Sequence, residues 1–476
     1  MKRKVLILFI SLIILQINSI NIPTGNEDND TISQFSENIL LSTADNIYGH
    51  HVEATLAISG DGTLFAGWKE SYSHNGAGVR VGFTKSVDNG LTWSAPFNMP
   101  NFEPDTGQSD PWLVWYKETE TLYYTYLEYS LSANIGEGFT QMTVAKSTDY
   151  GKTWNLVTAS YGDGFADKET MIVSNDGTLY VVYDDIDVTS GSTFVRLTRS
   201  DDGGSTFKEV SIIADSITNP EDHIGPYVTA DSKNNVYVAW FWFTDGLWGD
   251  IYVTSSSDKG LTFTTPVDIN QDGENCTFET SPDQRPAKGS LPVIEFDQND
   301  RLYALWSEKL EPDGLWDVYL RYSDDYGLTW SNRYQINPST IGNQWEPDME
   351  IDSEGRVHVV YYDDEGESSF KPFYRALEFP QSGEPIFGNS IDISNDVSTP
   401  NTFTRPGEYF SIRVDSNNVP HVVWSDGRNN EMDIYYAHGL YSTDSTTTTK
   451  STPISLGIFA PIALVLLISY RRRNRT

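Results

Sequence analysis

Charged and aromatic residues recur at one register of a repeating strand in this chain of 476 residues. Aligning the first strand of each repeat on the aromatic that ends its second strand brings Glu53, Asp110, Lys168, Gly225, Leu291, Glu346 and Tyr409 into one ring. Asp110 joins it with one extra turn residue. The preceding ring adds Asp167 and Glu408, and His50, His51, Asp222 and His223 lie just before. Arg285 and Arg405 precede first strands. If these strands converge on an axis, Glu53, Asp110, Asp167, Glu346 and Glu408 gather there with Lys168 as the nearby cation. Like charges so close raise one another's pKa and cost stability unless a cation, a basic ligand group, protons or solvent offset them. Two readings fit: the ring hydrogen-bonds and holds the repeats together, or it lines a ligand mouth. A mouth rich in carboxylates suits Ca²⁺, which takes carboxylate and carbonyl oxygens in flexible geometry, or a neutral or cationic ligand. His51, Glu53 and His223 are a candidate metal set, since imidazole and carboxylate are ordinary ligands, although their spacing matches no recognised motif. Trp248, with Trp316 in a similar Gly-Leu-Trp setting, is a candidate sugar-stacking platform; lid packing is the alternative.

The elements that must position these residues are short strands. The second strands begin at Leu64, Leu122, Leu179, Val236, Leu302, Val357 and Pro420, and each runs through aliphatics to an aromatic. Alternating aliphatics between turns rich in Asp, Gly and Asn predict antiparallel strands, in seven units. After the third strand of five units stands Ser-x-Asp-x-Gly-x-Thr-Trp or a close variant, with Asp88, Asp149, Asp202, Asp258 and Asp325 as its carboxylates. The copies recur at intervals of roughly 50–70 residues, a repeat architecture. An Asp in a tight turn accepts hydrogen bonds from backbone N–H groups further on, and the Gly supplies a positive φ. The motif therefore staples a hairpin. The sixth unit has only a degenerate stand-in at residues 375–380, and the seventh stops after three strands; residues 38–42 are the expected outer strand that closes the ring.

This motif resembles the Asp-box (BNR) repeat of sialidases and related β-propellers, and the resemblance covers residues 36–440. It implies an all-β fold, a seven-bladed propeller with Asp-box hairpins, and a structural role for the boxes. It further implies a glycoside hydrolase site with three arginines that clamp a substrate carboxylate, a Tyr nucleophile beside a Glu, and an Asp acid/base. Tyr409 with Glu346 or Glu408 matches the Tyr/Glu pair, and Asp110 or Asp167 the acid. Three departures stand against a simple transfer. Sialidase-family enzymes are typically six-bladed. The first inner strand offers His51-Val52-Glu53 in place of the family's Arg-Ile-Pro type motif. Arg80, Arg196, Arg285 and Arg405 form no evident trio.

The formal charge is −35, from 67 acidic against 32 basic residues, which repels nucleic acid and disfavours anionic ligands at long range. The single cysteine, Cys276, permits no intrachain disulfide. Residues 1–20, with Lys-Arg-Lys before an apolar run, read as a signal peptide, and residues 21–35 as a flexible lead-in. Residues 441–453 form a Ser/Thr-rich stalk. Residues 454–470 are apolar and uncharged, short for a bilayer-spanning helix of about 20 residues, and residues 471–476 are a basic tail that belongs in the cytoplasm. The expected protein is thus a single-pass cell-membrane protein with an extracellular propeller. Its expected role is recognition of a glycan or glycoprotein, with glycoside hydrolysis in reach. A non-catalytic scaffold or adhesion module with a cation-binding funnel is the alternative.

Overall fold

The computed structural model describes residues 31–442 apart from 43–47, 73–77, 132–139, 161–163, 188, 216–221, 244–247, 271–275, 278–290, 311–313, 382, 400–406, 408 and 430. The expected signal peptide, membrane span and basic tail lie outside the described residues, as does the expected stalk beyond its first two residues, of which Tyr441 ends a strand. Among the described residues no helix is long and apolar enough to cross a membrane.

Seven antiparallel sheets follow one another along the chain, each strand pairing with the next from the inside outward. Their inner strands are His50–Ile58, Thr106–Tyr116, Phe165–Val173, His223–Ala230, Val293–Phe296, Gln344–Ile351 and Ser411–Val414. Each touches the inner strand of the next blade, and the seventh touches the first, so the ring is closed. Side chains stitch these neighbours: the Leu113 amide donates to Thr55 Oγ1 at 3.0 Å, Trp112 Nε1 to the Met171 carbonyl at 3.2 Å, and Thr170 Oγ1 to the Pro226 carbonyl at 3.1 Å.

The seven aromatics that fix the repeat in the sequence are the wedges between blades. Trp68, Tyr126, Tyr183, Trp240, Trp306, Tyr361 and Trp424 are all buried. Each removes a large apolar surface from water, on the order of 2–3 kcal/mol apiece before entropy is counted. With no disulfide available, these interblade layers carry the stability.

The five Asp turns share one hydrogen-bond set. In each, the Thr amide donates to one carboxylate oxygen at 2.8–2.9 Å and the Thr hydroxyl to the other at 2.6–2.7 Å. The turns stand between third and outer strands, away from the axis. Blades 6 and 7, which lack this turn, each carry a buried histidine on the second strand. His358 sits 2.7 Å from the Tyr374 hydroxyl and 3.1 Å from Asp352 Oδ2; His421 lies 2.7 Å from the Tyr436 hydroxyl and 3.7 Å from Asp415 Oδ2.

Closure uses the N-terminal segment. Ile39 and Leu40 pair with Tyr436 and Tyr435 at the outside of blade 7. The last residues of the expected lead-in join them: Ile32–Phe35 is also a strand on that edge. The propeller therefore begins before residue 36, because the long third strand Asp433–Tyr441 offers more edge than residues 38–42 can cover.

Candidate functional site

The ring aligned from the sequence is a ring of bulges. In blades 1, 2, 3, 4 and 6 the register slips by one residue at the same place, between Val52 and Thr55, Ser109 and Trp112, Asp167 and Thr170, Ile224 and Tyr227, and Trp345 and Asp348. The residue after the slip has a left-handed backbone each time: Glu53 (φ 59°), Asp110 (φ 54°), Lys168 (φ 52°), Gly225 (φ 65°) and Glu346 (φ 47°). A bulge re-aims a side chain and bends the strand. Only at Gly225 is the conformation free of steric cost; a Cβ there would also collide with the Leu291 side chain. Four charged residues hold a conformation that costs about 1–2 kcal/mol each.

Two groups of side chains result. Glu346 and Tyr409 line one small cavity on the axis together with Lys168, Trp112, Tyr227 and Asp348. Tyr409 and Glu346, paired in the sequence reading, thus line the same cavity. Asp110 belongs to the second group, on blades 1–3, with Glu53, Asp167 and Glu169. Lys69 Nζ lies 3.0 Å from Glu53 Oε1 in a buried ion pair, and the Ser109 hydroxyl donates to Asp110. Glu169 is wholly buried, and among the described residues neither carboxylate oxygen has a hydrogen-bond partner. Burial, then the charges of Asp110, Asp167 and Glu53, push its pKa well above the usual carboxylate range. Asp184 is pushed up by burial in the same way, although it accepts the Gly225 amide at 2.9 Å. Of the five acids foreseen in the sequence, Glu53, Asp110 and Asp167 gather here around Glu169, Glu346 lies in the other group, and Glu408 falls outside the described residues; the raised pKa values of Glu169 and Asp184 ease the repulsion alongside Lys69 and Lys168.

The expected metal set does not converge. His51 lies 3.3 Å from Asp433 across the junction of blades 1 and 7. His223, on blade 4, accepts Trp240 Nε1 at 3.1 Å, and burial lowers its pKa to about 4. Among the described residues no three His, Cys, Asp or Glu side chains are grouped to hold a metal ion. Trp316 is buried, with Lys309 Nζ 5.8 Å from its ring, so it is no open platform. Trp248 opens a strand, Trp248–Ser256; its side chain lies outside the described residues, as do Arg285, Arg405 and Glu408. Asp222 is exposed at the rim. Arg80 is spent on the carbonyls of Val79 and Thr106 at 2.7 and 3.0 Å, and Arg196 on Asp185.

Sequence reasoning missed Trp112, Tyr227, Glu295, Asp348, Glu350 and Arg413. Trp112 stacks edge-on against both Tyr227 (5.4 Å) and Tyr409 (6.2 Å) across the axis. Arg413 Nη1 is 3.5 Å from Asp348 Oδ2 and 3.7 Å from Glu350 Oε2. A signal was available: all six lie on inner strands, a few residues past the aligned ring.

No family model and no curated protein matches this chain. Solved structures do. A protein of unknown function from Dyadobacter fermentans DSM 18053 superposes with a TM-score of 0.50 at 18% identity, over 69% of this chain and 94% of its own. The Hadza microbial sialidase Hz136 superposes with a TM-score of 0.50 at 16% identity, over 70% of this chain and 68% of its own. The fold is sialidase-like. On this architecture the chain carries charged left-handed bulges around the axis, beside the aromatic trio of Trp112, Tyr227 and Tyr409.

Proposed function

We propose that this chain is an extracellular carbohydrate-recognising propeller that takes a neutral or cationic glycan at the bulge-ring mouth. Glu346 and Tyr409 lie against the sugar in this reading, and cleavage of a glycosidic bond is the chemistry the pair would support. One observation carries the reading: charged residues hold a strained backbone at the same register in four blades. Strain of this kind persists at sites where it serves function. Sialic acid fits poorly, because a carboxylate wants guanidinium forks. Among the described residues that line the two axial cavities the one arginine, Arg413, already faces Asp348 and Glu350. The apolar C-terminal run and the N-terminal leader support a membrane-tethered propeller facing outward.

The test is a glycan array and a panel of fluorogenic glycosides with the wild-type chain, Glu346→Gln and Tyr409→Phe. Capture of neutral or amino sugars should fall in Glu346→Gln, and any turnover should vanish in Tyr409→Phe. Cleavage of a sialoside that survives Glu346→Gln overturns the reading, as does a wild-type chain that captures no glycan. A second reading, an adhesion module with a cation in the funnel, is favoured by the buried Glu169 oxygens, which have no hydrogen-bond partner among the described residues. Added Ca²⁺ should then raise the melting temperature and chelator lower it; a melt indifferent to both leaves protons as the neutralising agent.

A further inference from the structure

The axial channel widens again further along the inner strands. The cavity there measures about 290 Å³, near the lower end of small-molecule pockets at about 300 Å³. Trp112 and Tyr227 line both this chamber and the upper mouth, and so divide them. The two halves of the chamber differ. Ile58, Trp115, Ile172 and Val228, from blades 1–4, form an apolar wall. Glu295, Glu350 and Arg413, from blades 5–7, bring every charge to the other side. The Glu350 and Arg413 side chains are 26% and 18% exposed; deep in the ring, that exposure is to the lumen.

Charge on this side is unbalanced. Arg413 donates to its neighbour's carbonyl, Ile412, at 2.6 Å, and its guanidinium carbon is 5.9 Å from the Trp112 ring. It stands against three carboxyl groups: Asp348, Glu350 and Glu295. Tyr227 is the remaining titratable group facing them. An anionic ligand would meet all three acids. A metal ion would meet an apolar wall over half its surroundings, and no metal-holding group is present among the described residues. A cation with an apolar body meets both halves at once, and the rings of Trp112, Trp115 and Tyr227 favour it further.

We infer that this lower chamber binds an organic ammonium ion, with the charged nitrogen at Glu350 and Glu295 and its hydrocarbon part against Trp115, Ile172 and Val228. The inference stands independently of glycan binding above. It has a proton signature. Burial lifts Glu350 to about 7 and Asp348 to about 6, and Glu295 well above the usual range, against the opposing pull of Arg413. Protons and the ammonium therefore compete for these carboxylates, and binding tightens as pH rises.

The probe is 2-phenylethylammonium chloride, titrated calorimetrically into the full chain from about pH 5.5 to 7.5, where the amine stays protonated. Affinity should rise by up to about tenfold per pH unit, with proton release read from buffers of different ionisation enthalpy. Glu350→Gln should weaken binding by at least about tenfold, and Ile172→Trp, which fills the chamber, should abolish it. Glu346→Gln, in the upper mouth, should leave it unchanged. Either chamber variant suffices if the other fails to fold. The inference is overturned by absence of binding at the upper pH, by affinity independent of pH, by wild-type affinity in a folded chamber variant, or by loss of binding in Glu346→Gln.

Discussion

Replacing Lys69 with methionine tests how the mouth holds its charge. Lys69 Nζ is 3.0 Å from Glu53 Oε1, and the two side chains are 6% and 0% exposed. An exposed pair contributes about 0–1 kcal/mol. A pair this enclosed belongs to another regime, in which removing one partner costs about 3–5 kcal/mol because the other charge stays in low dielectric. The environment left behind is already acidic: Glu169 is pushed up by Asp110, Asp167 and Glu53 after its own burial. Methionine keeps most of the lysine stem, so cavity formation adds little, under about 1.5 kcal/mol. Lys69→Met should therefore lower the unfolding free energy by about 3–5 kcal/mol, measured by urea denaturation. Adding Glu53→Gln removes the stranded charge, and the coupling in the double-mutant cycle should reach about 2–3 kcal/mol. A loss under about 1 kcal/mol for Lys69→Met refutes the reasoning, and so does a double variant no more stable than the single one.

Three further outcomes follow from the same geometry. Asp149 accepts the Thr153 amide and hydroxyl at 2.9 and 2.7 Å and the Lys152 amide at 3.1 Å; Asp149→Ala should cost about 1 kcal/mol in a thermal melt while ligand capture by the folded fraction is unaffected, and a loss of capture without a change in melting contradicts the staple. Deleting residues 32–42 removes the outer strands from blade 7 and should turn a monomer into aggregate on size exclusion; an unchanged elution and melt would show that closure lies elsewhere. His223 is driven from 6.5 to about 4 by burial, so the unfolded chain binds the extra proton first: its contribution, on the order of 3 kcal/mol, is complete above about pH 6.5 and lost as pH falls toward 4. Glu350, raised to about 7, acts with the opposite sign and favours the folded chain below its unfolded pKa of 4.5. His223→Gln should flatten the acid limb of stability between about pH 6.5 and 4, and an unaltered limb would exclude this histidine as its source.

The local chemistry of the sequence determined the repeat. Turn aspartates, the glycine after them and an aromatic at the end of each second strand act within one hairpin, over separations short enough to read directly. They specified seven units and the register that places Glu53, Asp110, Lys168, Gly225 and Glu346 alike. They also pointed to residues 38–42 as the strand that closes the ring, and Ile39 and Leu40 do pair there. Tertiary structure decided what the register means. The bulge arises from pairing with the second strand, and its left-handed residue is invisible in a periodic pattern. Which carboxyls keep a proton was equally hidden. Glu169 looks like any strand Glu until burial beside Asp110 and Glu53, distant along the chain, sets its pKa. His51 and His223, paired on paper as a metal set, are separated because they enter the ring in blades 1 and 4. Arg413, Asp348 and Glu295 meet for the converse reason: blades 5, 6 and 7 are neighbours around the axis. Contacts between inner strands of different blades depend on closure of the whole ring, and the spacing within a single blade does not encode them.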